Sequence, residues 1–310
     1  MTSERDIIRD LKNRFPVRTS VEVGIGDDGA VLRPGDKPVI VVTDMLLDGV
    51  HFDLSSASPE LVGRKAVAVN LSDLAAMGCW PTAAFISIAV PKSIAATDTF
   101  ISSLYDGMQA LSDQFEFTIA GGDTNTWHGP FAINVCLTGS PTSAAPVLRS
   151  GAKPGDVLMV TGPLGGSLPS GHHLTFEPHL QLSKWLLQNT DVHAMMDISD
   201  GLSIDLHRMV EASGTGAILN ADAIPISPHV DSGLSADQRL KHAMSDGEDF
   251  ELLIAVSATD AKRLASQTEP HAFVRVGEVT ESNDVLLKTG DNLTHLPADG
   301  WQHLSYSESR

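Results

Sequence analysis

"LVGRKAVAVNLSDLAAMG", Leu61 to Gly78, is the stretch on which the fold turns. Ser58 and Pro59 precede it, an N-cap and a residue preset for the first helical position, and Gly78 closes it. The spacing predicts a helix, apolar along most of its length, that carries Asp73 beside Asn70. An aspartate between "AVAVNL" and "LAAM" is costly to bury without a partner. The nearest cations in sequence, Arg64 and Lys65, lie about two turns earlier.

Working outward, "KPVIVVTDML" reads as a β-branched buried strand ending at Thr43-Asp44. "TAAFISIAVP" is a strand closed by Pro91. "DTFISSLYDGMQALSDQF" places Phe100, Ile101, Leu104, Met108 and Leu111 at helical spacing. "FEFTIAGGDT" predicts a strand ending in Gly-Gly-Asp, and "FAINVCLTG" alternates as a half-buried strand does. Residues 140–156, rich in Ser, Ala, Pro and Gly, mark a domain junction near residue 145. Beyond it "DVLMVTGPLGG", "FELLIAV", "AFVRVGEV" and "DVLLKTG" read as strands and "GLSIDLHRMVEASG" as a helix. The expected architecture is α+β: two domains, residues 1–145 and 146–310, with mixed sheets flanked by helices.

Composition narrows the function. The chain has 21 Lys+Arg against 39 Asp+Glu, a net charge of −18, which argues against a nucleic-acid binder. Cys79 and Cys136 stand far apart and outside any zinc or disulfide spacing, so a reducing cytoplasm is the expected compartment. "MTSERDIIRDLKNRF" reads as a charged amphipathic helix rather than a signal peptide. No apolar run approaches the roughly 18 residues of a membrane span.

The acids recur at the ends of the predicted elements. Asp27 and Asp28 lie in a Gly-rich turn, Asp44 and Asp123 at strand ends, and Asp197 and Asp200 at a helix start; Asp246, Glu248 and Asp249 fall in "SDGEDFELL". Some have plain structural readings: Asp200 as an N-cap, Asp249 as a turn acid before a strand. Carboxylates that converge without cations repel one another. A divalent ion removes the repulsion, and oxygen-only ligation points to Mg²⁺ rather than zinc. Mg²⁺ held this way completes its shell with water and phosphate oxygens. There is no Walker A motif and no protein-kinase arrangement. "IAGGDT", and more weakly "GPLGGS", offer glycine amides to a phosphate. Arg149 reads either as a cation for a phosphate chain or as a solvated linker arginine.

Taken together and in order, "GIGDDGAVL", "TDMLLDGVHF", "KAVAVNLSDLAAMG", "GGDT", "RSGAKPGD", "DISDGL" and "GEDFEL" resemble the thiamine-monophosphate kinase family of the aminoimidazole-ribonucleotide synthetase-like ATP-binding superfamily. The resemblance spans nearly the whole chain. It implies ATP-dependent phosphorylation of thiamine monophosphate to thiamine diphosphate by a homodimer joined through its N-terminal domains, with several Mg²⁺ ions bridging the substrates. By position it implies Asp28, Thr43, Asp44, Asp73, Asp123, Asp197 and Asp200 as metal ligands. Tyr105, Gly122, Asp123, Arg149 and Ser199 are implied as ATP contacts, and His51, Glu248 and Trp301 as contacts to thiamine monophosphate. Asp28 is then the metal-facing member of its pair and Asp27 serves the turn.

Three departures from the family pattern stand out. Val42 replaces the usual Ser, "SDGEDF" adds an acid, and "GGSLPSGHHLTFEPHLQLSKWL" is short. His172 and His173 are expected to be exposed loop residues.

The mechanism expected is direct in-line transfer to an acceptor phosphate oxygen that is already ionised near neutrality, which requires no strong base. Two rivals share the fold: a ring-closing synthetase and a non-catalytic nucleotide sensor. Selenophosphate synthetase and the hydrogenase-maturation dehydratase would need cysteines that neither end of this chain supplies.

Overall fold

The computed structural model describes residues 21–23, 26–33, 35–94, 98–267 and 273–302. The amphipathic helix expected at the N-terminus, Gly24 and Ile25 of the Gly-rich turn, and residues 303–310 lie outside them. Two mixed sheets organise the described chain. The first, in the order β1-β2-β3-β6-β4-β5, contains β1 (Val21–Val23), β2 (Ala30–Leu32), β3 (Val39–Leu47), β4 (Cys79–Pro91), β5 (Thr118–Trp127) and β6 (Ala132–Pro141). The second runs β13-β12-β9-β11-β7-β10-β8. Its strands are β7 (Val157–Val160), β8 (Val192–Ile198), β9 (Gly216–Asn220), β10 (Glu251–Val256), β11 (Val274–Thr280), β12 (Val285–Thr289) and β13 (Asn292–His295). β4–β5 and β9–β12 pair parallel, and the other neighbours pair antiparallel.

The helix read from Leu61–Gly78 is α1 (Pro59–Ala76). Ser58 accepts from Leu61 N at 3.3 Å as its cap, and Pro59 begins the first turn. Val62, Ala66, Val67, Ala68, Leu71, Leu74 and Ala75 are almost fully buried and go round the whole helix. Such a helix needs apolar neighbours on every side. It has them: β3, β4 and β6 of the first sheet, β8 of the second, α2 (Asp98–Phe115) and α3 (Leu180–Asn189). Each fully buried Val or Leu contributes about 1.5–3 kcal/mol. α1 and α2 cross where Gly63 meets Leu104 and Gly107 meets Glu60; a Cβ at either glycine would strike the facing carbonyl oxygen.

α1 is therefore the layer between the sheets. Parity along the strands decides what faces it. In β10, Leu252 and Ile254 join the core around α1, while Leu253 and Ala255 face the opposite core, packed with Leu202 and Leu206 of α4 (Leu202–Ser213) and Ala243 of α5 (Ala236–Ser245). In β8, Met195 faces the α1 core; Asp197, two residues on, shares that face.

Two strands extend past their expected ends. β3 continues to Leu47 because it stays paired with β6 as far as Leu47–Ala132, so Asp44 lies inside the strand. β5 continues to Trp127, paired with Pro91, so Asp123 also lies mid-strand. Gly122 permits this: its φ is +154°, and a Cβ there would collide with the Ile86 carbonyl. No described helix is long and apolar enough to cross a membrane.

Candidate active site

Asp73 is the centre of an acidic cluster because α1 lies between two sheets that each send it a carboxylate. Asp44 comes from the inner face of β3, in register with buried Val135 and Ile86. Asp197 comes from the inner face of β8. Asp28, from the turn before β2, completes the group: carboxylate oxygens of Asp28, Asp73 and Asp197 all lie within 4.8 Å of one another. Ser72 Oγ, the residue before Asp73, donates to Asp197 Oδ2 at 2.7 Å.

The electrostatics follow from the crowding. Burial, then Asp44, Asp197 and Asp28, push the Asp73 carboxyl well above the usual carboxylate range. Burial and Asp28 do the same to Asp197, with the Ser72 hydrogen bond opposing. Arg149 offsets part of the repulsion. Its Nε donates to Asp28 Oδ2 and its Nη2 to Asp28 Oδ1, both at 2.7 Å, a bidentate pair of the strong kind. Burial works against the guanidinium's charge, but Asp28, then Asp27 and Asp197, hold it ionised. Asp27 accepts from Asp28 N at 2.9 Å and from Arg149 N at 3.4 Å. Burial and its neighbour Asp28 push it up to about 6. The solvated-linker reading of Arg149 is thus set aside. Val42, next to Thr43, is 2% exposed and belongs to the apolar core around α1.

A second group adjoins the first. The turn after β3 presents His51, whose Nδ1 accepts from Leu47 N at 3.0 Å, while Asp48 Oδ1 accepts from Leu54 N at 3.0 Å. Across the cleft the segment before β10 presents Glu248 in a left-handed conformation at φ +62°, and Phe250 at φ +54°. A non-glycine residue held there is strained by about 1 kcal/mol or more. Hydrogen bonds from Glu248 N to Ser199 O at 2.6 Å and from Phe250 N to Ile198 O at 2.9 Å hold the segment against the Ser199-Asp200 loop. Trp301 N donates to Asp200 O at 2.9 Å, which brings the half-buried Trp301 to that loop as well.

Linking the His51 turn to Glu248 is Lys65, which the sequence reading noted only as a cation near Asp73 and gave no site role. Its Nζ donates to His51 O at 2.6 Å, lies 2.8 Å from His173 Nδ1 and is ion-paired with Glu248 Oε2. His173 is accordingly not an exposed loop histidine: it is 6% exposed, and burial and Lys65 lower its pKa to about 4. His172 is half-buried and stacks on His229 at 5.1 Å. The glycine amides of "GPLGG" are also taken, Gly165 N by Asp249 Oδ1 and Gly166 N by Asp246 Oδ2, both at 2.9 Å. Asp249 is a buried partner of that loop rather than a turn acid. Asp200 is not an N-cap. Gly201 holds that position, Asp205 accepts from the amides of Asp200 and Gly201, and Asp200 pairs with Arg208 at 2.6 Å.

Thr43, Asp123 and Tyr105 lie elsewhere. The register rows Met45–Asn134–Ser87–Asp123 and Thr43–Cys136–Phe85–Gly121 belong to the outer face of the first sheet, opposite Asp44. Asp123 is exposed on the edge strand, accepting from Thr124 N at 3.0 Å and Asn125 Nδ2 at 2.7 Å. Asp44 and Asp123 are three strand spacings apart, about 14 Å, with the sheet between them. Tyr105 of α2 lines a cavity of about 410 Å³ with Gln109, Asp113 and Thr118, near the start of β5.

Comparison with known proteins identifies the family. Residues 26–140 match the model of the AIR synthase related protein N-terminal domain, and residues 153–289 that of its C-terminal domain. The thiamine-monophosphate kinase of Rhodopirellula baltica is 41% identical over 286 residues, 89% of each chain. That of Bacillus subtilis is 32% identical over 327 residues, 97% of this chain and 99% of its own. The solved structure of AaThiL complexed with AMPPCP and TMP superposes with a TM-score of 0.81 at 26% identity, over 97% of both chains. The chain is an AIR synthase related protein and belongs to the thiamine-monophosphate kinase family.

Proposed function

We propose that the protein transfers the γ-phosphoryl group of ATP to thiamine monophosphate, forming thiamine diphosphate, with Mg²⁺ held by the acidic cluster. The observation that carries the reading is the convergence of Asp28, Asp44, Asp73 and Asp197 in one acidic cluster between the two sheets. The donor set fits the ion. All the ligands are carboxylate oxygens, their mutual repulsion disfavours ionising them together, and hard oxygen donors suit Mg²⁺. When bound, the ions would neutralise phosphate charge and align donor with acceptor.

Asp73 is the central ligand in this account, with Asp28, Asp44 and Asp197 around it and Asp200 at the rim. Arg149, already in the cluster, would exchange part of its bond to Asp28 for phosphate oxygens, and Ser199 would face the same chain. His51, Glu248 and Trp301 would hold thiamine monophosphate on the other side. The acceptor phosphate is ionised near neutrality, so the chain needs to orient it and exclude water rather than remove a proton.

Thr43 and Asp123, on the outer face, serve a second copy in this reading, and Gly122 and Tyr105, near the same edge strand, are ATP contacts. The outer face of the first sheet exposes Met45 (60%), Phe85 (44%) and Trp127 (44%), and β5 is a ten-residue edge strand exposed along almost its whole length. Long exposed edges and apolar patches call for cover. A homodimer joined through this face and the β5 edge would cover these groups, and Asp123, on that edge strand, would reach the partner's cluster around the edge of the sheet rather than through its face. The domain division near residue 145 and a cytoplasmic location belong to the same proposal.

The test is incubation of the purified protein with thiamine monophosphate, ATP and Mg²⁺, followed by chromatography. Thiamine diphosphate and ADP should appear together and vanish with EDTA or in Asp73→Asn. ATP binding without product would sink the reading and favour the sensor.

A further inference from the structure

Lys65 is buried without any exposure, and it is among the largest side chains so buried. An ammonium has three donors, and Lys65 Nζ has three partners, each on a different segment: His51 O after β3, His173 Nδ1 in the turn His172–Leu174, and Glu248 Oε2 before β10. Taking a lysine and a glutamate out of water is costly for each alone, and the pair offsets that only with good geometry and full hydrogen bonding. Two of the three partners, His51 and Glu248, are the residues proposed above to meet thiamine monophosphate. The third, His173, accepts from the ammonium at Nδ1, so its ring proton sits on Nε2.

Glu248 depends on this contact. Burial, with Asp200 and Asp44 nearby, presses its carboxyl towards protonation, and Lys65 opposes that. Its backbone is held in a left-handed conformation against Ser199, so the carboxylate is fixed at both ends.

We propose that Lys65 is a positioning residue for the acceptor substrate. It ties the His51 turn of the first half to Glu248 of the second, and holds the Glu248 carboxyl group in one orientation. This rests on the kinase reading above. A carboxylate fixed in this way suits the N–H groups and positive charge of a cationic heteroaromatic acceptor; it would repel the phosphate end. Lys65 thus governs recognition of the acceptor's ring portion rather than of ATP.

The experiment is steady-state kinetics with each substrate varied, on the wild type, Lys65→Met, Glu248→Gln and the double variant. Lys65→Met should raise KM for thiamine monophosphate about tenfold or more and leave KM for Mg·ATP within about twofold. Glu248→Gln should move the same constant. The double variant should be no worse than the worse single, because both act through one carboxylate. If Lys65→Met does not fold, the double variant, which leaves no buried charge unpaired, is compared with Glu248→Gln. Equal KM values support the role, and a further tenfold loss overturns it. Both KM values rising together, or multiplying effects, would show a merely structural lysine and overturn the inference. A wild-type protein that turns over no thiamine monophosphate overturns the kinase reading and this role with it.

Discussion

Arg149, just ahead of β7, grips Asp28, just ahead of β2, through two hydrogen bonds of 2.7 Å. The Asp28 side chain has no exposure and that of Arg149 is 19% exposed, so the pair joins the two halves of the chain in low-dielectric surroundings. Removing one partner leaves the other uncompensated. Arg149→Met should lower folding stability by about 3 kcal/mol. Mg²⁺ should restore part of the loss by serving as another cation for Asp28. Denaturant unfolding with and without Mg²⁺ checks both; an unchanged midpoint would count against the pair as a stabilising contact.

Asp73→Asn should separate stability from activity. Asp73 is disfavoured as an anion by burial and by Asp44, Asp197 and Asp28. In EDTA near pH 8 the neutral isostere should therefore be more stable to denaturant than the wild type. Turnover should fall by about a hundredfold or more, and the stabilisation that Mg²⁺ gives the wild type should shrink. A variant less stable than the wild type in EDTA would contradict the repulsion argument.

Asp249 predicts a pH dependence. Its Oδ1 accepts from Gly165 N, its Oδ2 has no hydrogen-bond partner among the described residues, and burial pushes its pKa up to about 8. Unfolded, it titrates at about 3.9. Its contribution to stability is thus complete below about pH 4, is lost as pH rises towards 8, and is flat above that. The slope is at most about 1.4 kcal/mol per pH unit. Asp249→Asn removes it, so the variant should gain on the wild type from pH 5 to pH 8. Parallel stability curves across that range would refute the assignment.

Asp123 predicts complementation between copies. Asp73→Asn and Asp123→Asn should each be inactive alone. If Asp123 completes the partner's cluster, mixing and refolding the two gives heterodimers with one intact site, and about a quarter of wild-type activity returns. No recovery, with heterodimers shown to be present, would mean Asp123 acts within its own chain. Phe85→Glu, on the same outer face, should yield monomers in sedimentation.

Much of the site was legible in the sequence because its logic is local. An acid inside an otherwise apolar helix is anomalous wherever it occurs, and Ser58, Pro59 and Gly78 bound that helix by capping chemistry alone. The alternation in β6 and the apolar runs of β3 and β10 marked strands, and the ordered motifs pointed to the family. What escaped was pairing. Lys65 is separated from His173 by 108 residues and from Glu248 by 183, and no pattern along the chain signals a contact of that span.

The sequence by itself determined α1, α2, α4 and strands β3 to β7 and β10 to β12, the family and the acids of the cluster, since these depend on residue type and near-neighbour spacing. Only the tertiary structure decided which acids meet. The strand order β3-β6-β4-β5 and the pleat put Asp44 on the inner face and Asp123 on the outer one. Side chains alternate with a period of two, so register and pairing, which are non-local, set the face on which each carboxylate stands.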